Sequence, residues 1–138
     1  MTDHRHIDTL VVGGGVVGMS IAYGLARAGE AVCVLDGSDE AFRASRGNFG
    51  LIWVQNKGLG RPAYARWTMQ SARTWPLLAS ELQELTGVDV ELRQPGGLSM
   101  GFDEKVLVAS SEKLNALGKE LGIVYPYERL DADGLLSV

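Results

Sequence analysis

Leu10-Val11-Val12-Gly13-Gly14-Gly15-Val16-Val17-Gly18, followed by Asp36 at the end of a second apolar run, decides the fold of this chain. Residues 7–12 are largely β-branched residues and Leu, and they lead straight into the glycines. Val17, Ile21, Leu25 and Ala28 then recur at helical spacing, and Gly29 is a helix stop. Ala31-Val32-Cys33-Val34-Leu35 reads as a short buried strand ending at Asp36. Strand, glycine turn, helix, strand and acidic end together make the opening βαβ unit of a Rossmann-like dinucleotide-binding fold.

Each residue type in this stretch has a physical task. Gly13 permits the tight turn after the strand. Gly15 has no side chain, so a diphosphate can approach the backbone there. Gly18 lets the helix pack close against the strand. The helix starting at Val16 and Val17 turns its free N–H groups and partial positive charge toward the phosphates. Asp36, 18 positions after Gly18, is placed to accept hydrogen bonds from a ribose 2′-OH. A lone GxGxxG is a weak signal, because glycine-rich turns are common; the flanking strands and helix strengthen it here.

Composition narrows the partners. The 138 residues suffice for one ordinary domain, and 46% are hydrophobic, enough to bury a core. A net charge of −4 argues against nucleic acid, which needs a basic face. The single cysteine excludes an internal disulfide and a cysteine-based metal site. Within its strand, Cys33 reads as a small buried hydrophobe rather than a nucleophile. His4 and His6 precede the first strand and read as solvated, so no metal site is expected. No apolar run approaches the ~20 residues of a transmembrane helix. The expectation is a cytoplasmic chain, with attachment to the inner membrane only peripherally and through a complex.

Beyond Asp36, the polar segment Arg43-Ala44-Ser45-Arg46-Gly47-Asn48 has small side chains and amide donors that suit a phosphate or a ring edge. It reads equally well as a plain surface turn. Residues 51–55 are a further strand candidate, and residues 56–60 are turn-rich. Pro62 opens a long helical pattern whose expected buried stripe is Tyr64, Trp67, Ser71, Trp75, Leu78, Leu82 and Leu85. Pro76 inside it predicts a kink or two helices meeting, and Gly87 ends it. Val88, Val90 and Leu92, then Leu98, Met100 and Phe102, alternate around Pro95-Gly96, which predicts an antiparallel hairpin. Asp103 can cap a helix with the stripe Leu107, Ser110, Leu114, Leu117 and Leu121, closed by Gly122. Residues 123–127 suggest a weaker strand, and residues 131–136 another helix start.

The chain resembles the FAD-dependent D-amino acid oxidase superfamily, which includes glycine and sarcosine oxidases. Residues 11–18, Asp36, the run Ala44-Ser45-Arg46-Gly47-Asn48-Phe49-Gly50-Leu51 and Gly96-Gly97-Leu98 carry the resemblance. Residues 45–55, with Trp75-Pro76 and Thr86-Gly87, look most like the branch of opine oxidase, hydroxyproline dehydrogenase and hydrogen cyanide synthase subunits. The resemblance implies FAD as cofactor. Val16 and Val17 would then meet the pyrophosphate, and Asp36 would hold the adenosine ribose with Gly37 beside it. Arg43, Ala44, Ser45, Asn48, Gly50 and Leu51 would line the pyrophosphate and flavin side. The family more often has Glu where this chain has Asp36; either carboxylate repels the 2′-phosphate of NADP.

The implied chemistry is oxidation of a small amino or imino acid at its C–N bond, by hydride transfer to the flavin, with companion subunits as conceivable partners. The resemblance also implies an N-terminal fragment, inactive by itself, whose catalytic and substrate-carboxylate residues lie elsewhere; none is assigned here. The expected fold is α/β. A Rossmann-like FAD-binding βαβ unit with its flavin loop fills residues 1–60, a long helix kinked near 76 fills 61–87, and the start of an α+β substrate domain with the hairpin fills 88–138. A nicotinamide-dependent dehydrogenase and an inactive truncated product are the competing readings.

Overall fold

The computed structural model describes residues 6–37 and 44–138. Its elements run β1 (Thr9–Val12), α1 (Val16–Arg27), β2 (Val32–Leu35), α2 (Pro62–Thr86), α3 (Glu104–Leu121) and α4 (Ala132–Leu135). Backbone contacts gather into two units, Met1–Leu51 and Ile52–Val138.

In the first unit β1 and β2 pair in parallel, with Thr9 opposite Val32 and Val12 opposite Leu35. Parallel pairing needs a crossover, and α1 supplies it. Val11 is buried on the face that α1 covers, whereas Leu10 and Val12 point to the other face and are exposed. The buried residue of α1 is Ala22, one turn beyond Gly18, with Leu25 half-buried on the same side. Val17 and Ile21, two of the apolar positions at helical spacing, are both more than half exposed. Small residues set this rotation: a Cβ on Gly18 would overlap the Gly13 carbonyl and lie 3.4 Å from Val11. The helix turns its least bulky edge to the strand because only that edge fits.

The second unit is built on α2 and α3. Its core is Ala65, Leu117, Leu121 and Tyr125, with Met69 and Leu114 packed against it. α3 follows the sequence expectation closely. The Asp103 carboxylate accepts from the Lys105 N–H at 2.8 Å, the stripe from Leu107 to Leu121 faces inward, and Gly122 ends the helix at φ 70°. Residues 123–127 form no strand. The chain turns back across α3 at Gly118, where a Cβ would lie 2.9 Å from the Ile123 carbonyl, and this seats Tyr125 in the core.

α2 departs from expectation in its buried side. That side runs through Ala65, Met69, Ala72, Trp75, Leu78 and Leu82, while Tyr64, Trp67 and Leu85 are exposed. Of the two arrangements expected at Pro76, two helices meeting is not the one found: α2 is a single helix of 25 residues. Proline has no N–H and so leaves the carbonyl four residues earlier without its helical donor. That carbonyl belongs to Ala72, and the Gln94 side-chain amide donates to it at 2.9 Å.

The hairpin expected over residues 88–102 is not formed in this chain. Gly96 does adopt the positive φ (104°) that the Pro-Gly turn requires. However, Glu91 sits at φ 53°, and its N–H donates to the Asp89 side chain at 2.8 Å. This local turn interrupts the alternation before a ladder can start. Residues 51–55 form no strand either; the Trp53 indole N–H donates to the Gln55 carbonyl at 2.9 Å.

Two measurements check this packing. Leu117→Ala should lower stability to urea by about 2–5 kcal/mol, whereas Trp67→Ala should cost less than ~0.5 kcal/mol. Burial pushes the Tyr125 phenol above its ordinary 10.0, against a smaller opposing pull from a hydrogen bond to the Asn56 backbone. The unfolded chain therefore releases this proton first. The stability Tyr125 contributes is full below pH 10 and is lost as pH rises through its folded value. Tyr125→Phe should flatten that alkaline loss in denaturation midpoints measured on both sides of pH 10.

Candidate cofactor site

The site lies in the first unit, where β1 hands over to α1. Gly13 continues the ladder, its N–H donating to the Leu35 carbonyl at 2.7 Å, and then turns the chain at φ 109°. A side chain is strained in that conformation, so glycine is required. Gly15 is the residue at the N-cap of α1 and offers no side-chain acceptor. The first turn contains no acidic residue, so nothing there repels an anion. Helix geometry leaves the first N–H groups without intrahelical acceptors.

Two distant side chains supply acceptors. The Val16 N–H donates to Ser45 Oγ at 2.9 Å, across 29 residues of sequence. The Gly14 N–H donates to Asp36 Oδ2 at 2.9 Å, and the Gly37 N–H to Asp36 Oδ1 at 2.7 Å. The helix start therefore gathers Gly13, Gly15, Val16, Val17, Gly18, Asp36, Gly37 and Ser45. Val16 and Val17 are exposed, with their N–H groups at the mouth of the helix.

The rest of the Ser-rich segment follows Ser45. Ala44 opens a turn, its carbonyl accepting from the Gly47 N–H at 3.2 Å. Asn48 Oδ1 accepts from the Gly50 N–H at 2.8 Å, and Gly50 takes φ 69°. Leu51 is exposed. Arg43 lies outside the described residues.

Sequence reasoning gave Gly14 no role, and the structure gives it one. A Cβ on Gly14 would collide with Asp36 Oδ2 and lie 3.2 Å from its Cγ. The run of three glycines was the available signal, but the carboxylate that demands the middle one comes from the far end of β2. At Gly15, Ser45 Oγ stands 3.0 Å from where a Cβ would be. The bare side of this glycine is where the Ser-rich segment docks.

The opposite end of the sheet has a shallow cavity lined by His6, Ile7, Ala31, Val32, Cys33 and Val34. Cys33 is half-buried. Among the described residues no helix is long and apolar enough to cross a membrane, and no three His, Cys, Asp or Glu residues gather as metal ligands.

Ser45→Ala should cost about 1 kcal/mol, as for a lost N-cap, and should speed amide exchange at Val16 while leaving the middle of α1 protected. Unchanged exchange at Val16 would show that the hydroxyl does not cap this helix.

Comparison with known proteins gives the family of the chain. Residues 8–138 match the family described as FAD dependent oxidoreductase, DAO. An opine oxidase subunit of Rhizobium meliloti is 48% identical over 114 residues, covering 83% of this chain and 31% of that protein. The corresponding opine oxidase subunit of Agrobacterium tumefaciens (strain Ach5) is 45% identical over 132 residues, covering 95% of this chain and 36% of that protein. Glycine oxidase of Bacillus licheniformis is 28% identical over 100 residues, covering 72% of this chain and 27% of that protein. The chain spans about a third of the length of these curated relatives. No solved structure matches it. The chain belongs to the DAO family of FAD-dependent oxidoreductases.

Proposed function

We propose that this chain holds the diphosphate and adenosine side of FAD in a flavoprotein that oxidises a small amino or imino acid at its C–N bond. The observation that carries the proposal is the hydrogen bond from the Val16 N–H to Ser45 Oγ. It draws the segment 44–51 onto the glycine turn, so two sequence regions with phosphate-compatible chemistry meet at one helix start.

The residues present fit such a group. The turn at Gly13 is open, with no atom within 4 Å of the place a Cβ would occupy. The first turn of α1 has no carboxylate to oppose a diphosphate. On this reading, backbone at Gly13, Gly15, Val16, Val17 and Gly18 surrounds the diphosphate. Asp36 and Gly37 hold the ribose. Arg43, Ala44, Ser45, Asn48, Gly50 and Leu51 line the path toward the flavin. When bound, the flavin supplies the acceptor for a hydride from the carbon beside the substrate nitrogen.

Residues 1–60 then serve the cofactor, residues 61–87 form the connecting helix, and residues 88–138 begin the part that meets substrate. The relatives named as opine oxidase subunits are, by that name, parts of assemblies. We infer a companion polypeptide for the protein to which this chain corresponds. No residue here is assigned to the chemical step.

A visible absorption spectrum of the purified chain with added FAD tests the proposal. Flavin bands retained through gel filtration are expected. A well-folded chain that ignores FAD would overturn it. Gly15→Val should weaken FAD binding at least about tenfold, a cost of roughly 1.4 kcal/mol, because it displaces Ser45 and blocks the backbone approach. Unchanged affinity would remove the turn from the site.

A further inference from the structure

We propose that Asp36 is a positioning residue for the glycine turn, holding it in shape before any ligand arrives. This deepens the cofactor site proposed above and rests on it. The carboxylate at the tip of β2 bridges two backbone donors, Gly14 N–H at 2.9 Å and Gly37 N–H at 2.7 Å. Gly14 and Asp36 are 22 residues apart, so the bridge ties the turn after β1 to the end of β2. Hydrogen bonds to a charged acceptor are about twice as strong as neutral ones. Gly14 is shaped for this contact, since any Cβ there would strike the carboxylate.

The bridge leaves ribose recognition possible. A carboxylate has about four acceptor sites on its two oxygens, so backbone bonds and a ribose hydroxyl are not mutually exclusive partners. The two tasks are nonetheless separable. Ribose recognition acts only on ligands that have a ribose. A brace on the turn acts on every ligand that uses the turn, including a bare diphosphate. Side-chain length matters as well. Glutamate carries its carboxylate one methylene further, past the Gly14 N–H, while still reaching toward a ribose. An aspartate at this position therefore suits the brace better than the glutamate that could serve the ribose alone.

Amide exchange in the ligand-free chain tests the brace directly. In Asp36→Ala, the Gly14 N–H should exchange at least about tenfold faster, while the middle of α1 keeps its protection. Asp36→Asn keeps the shape and one acceptor oxygen, and should show a smaller acceleration even if the alanine variant fails to fold. Asp36→Glu should accelerate Gly14 exchange as well. Binding of inorganic pyrophosphate and of ADP to the same variants supplies the second arm, in which pyrophosphate affinity should fall and ADP affinity should fall by at least as much, since ADP also loses its ribose contact. Gly14 exchange unchanged in all three variants would overturn the proposal. So would a loss of ADP affinity with pyrophosphate binding intact, the mark of a carboxylate that serves only the ribose. If the unsubstituted chain binds neither probe, the cofactor reading fails, while the exchange arm still decides the brace.

Discussion

A helix that begins on glycine cannot cap itself, and much of the first unit follows from that constraint. The opening N–H groups of α1 need acceptors, and Gly15 has no side chain to offer. Ser45 Oγ answers for Val16, and Asp36 answers for the adjoining Gly14 N–H. Both acceptors arrive from beyond α1 in sequence, so the local need for a cap becomes a long-range fold contact. An exposed hydrogen bond contributes only about 0.5–1.5 kcal/mol, so these bonds specify geometry more than they stabilise. They decide which segments stand beside the helix start.

Close approach is the second constraint, and it explains where the sequence pattern misled. Tyr64, Trp67 and Leu85 in α2 belonged to the stripe expected to face inward, and all three are exposed in this chain. The inner edge of α1 is Gly18 and Ala22, and that of α2 runs through Ala65, Met69, Ala72, Trp75, Leu78 and Leu82. Small residues admit neighbouring backbone, as Gly58 shows: its Cβ would come within 2.7 Å of the Ala65 Cβ. Periodicity finds a helix but fixes its rotation only when the bulky side chains are the ones that pack. That condition holds in α3, where Leu114, Leu117 and Leu121 do pack and the stripe was legible in full.

Local signals were the readable ones. Pro62 at the start of α2, Asp103 before α3 and the positive-φ glycines at 87 and 122 all act within a turn of where they stand. The βαβ unit was legible for the same reason, because strand, glycine turn and helix follow one another directly. Features that depend on a distant partner were not readable. Nothing near Pro76 announced that Gln94 would donate to the Ala72 carbonyl and let the helix continue. Nothing in the alternation of residues 88–92 announced that Asp89 would hold Glu91 in a left-handed turn. The role of Gly14 was hidden likewise, since the carboxylate that claims its empty side lies 22 residues away.

The glycine turn joins the two constraints. Gly18 must be bare for α1 to approach Gly13, a Cβ on Gly14 would strike the Asp36 carboxylate, and a Cβ on Gly15 would stand 3.0 Å from the Ser45 hydroxyl. Three glycines within five positions thus answer to three different neighbours: a carbonyl, a carboxylate and a hydroxyl. A side chain at any one would disturb a different contact, yet each disturbance would move the same N–H groups. The turn, the tip of β2 and the start of the Ser-rich segment therefore behave as one constrained piece of backbone. Its outward side is the mouth of α1, where the exposed Val16 and Val17 stand and no carboxylate lies in the first turn.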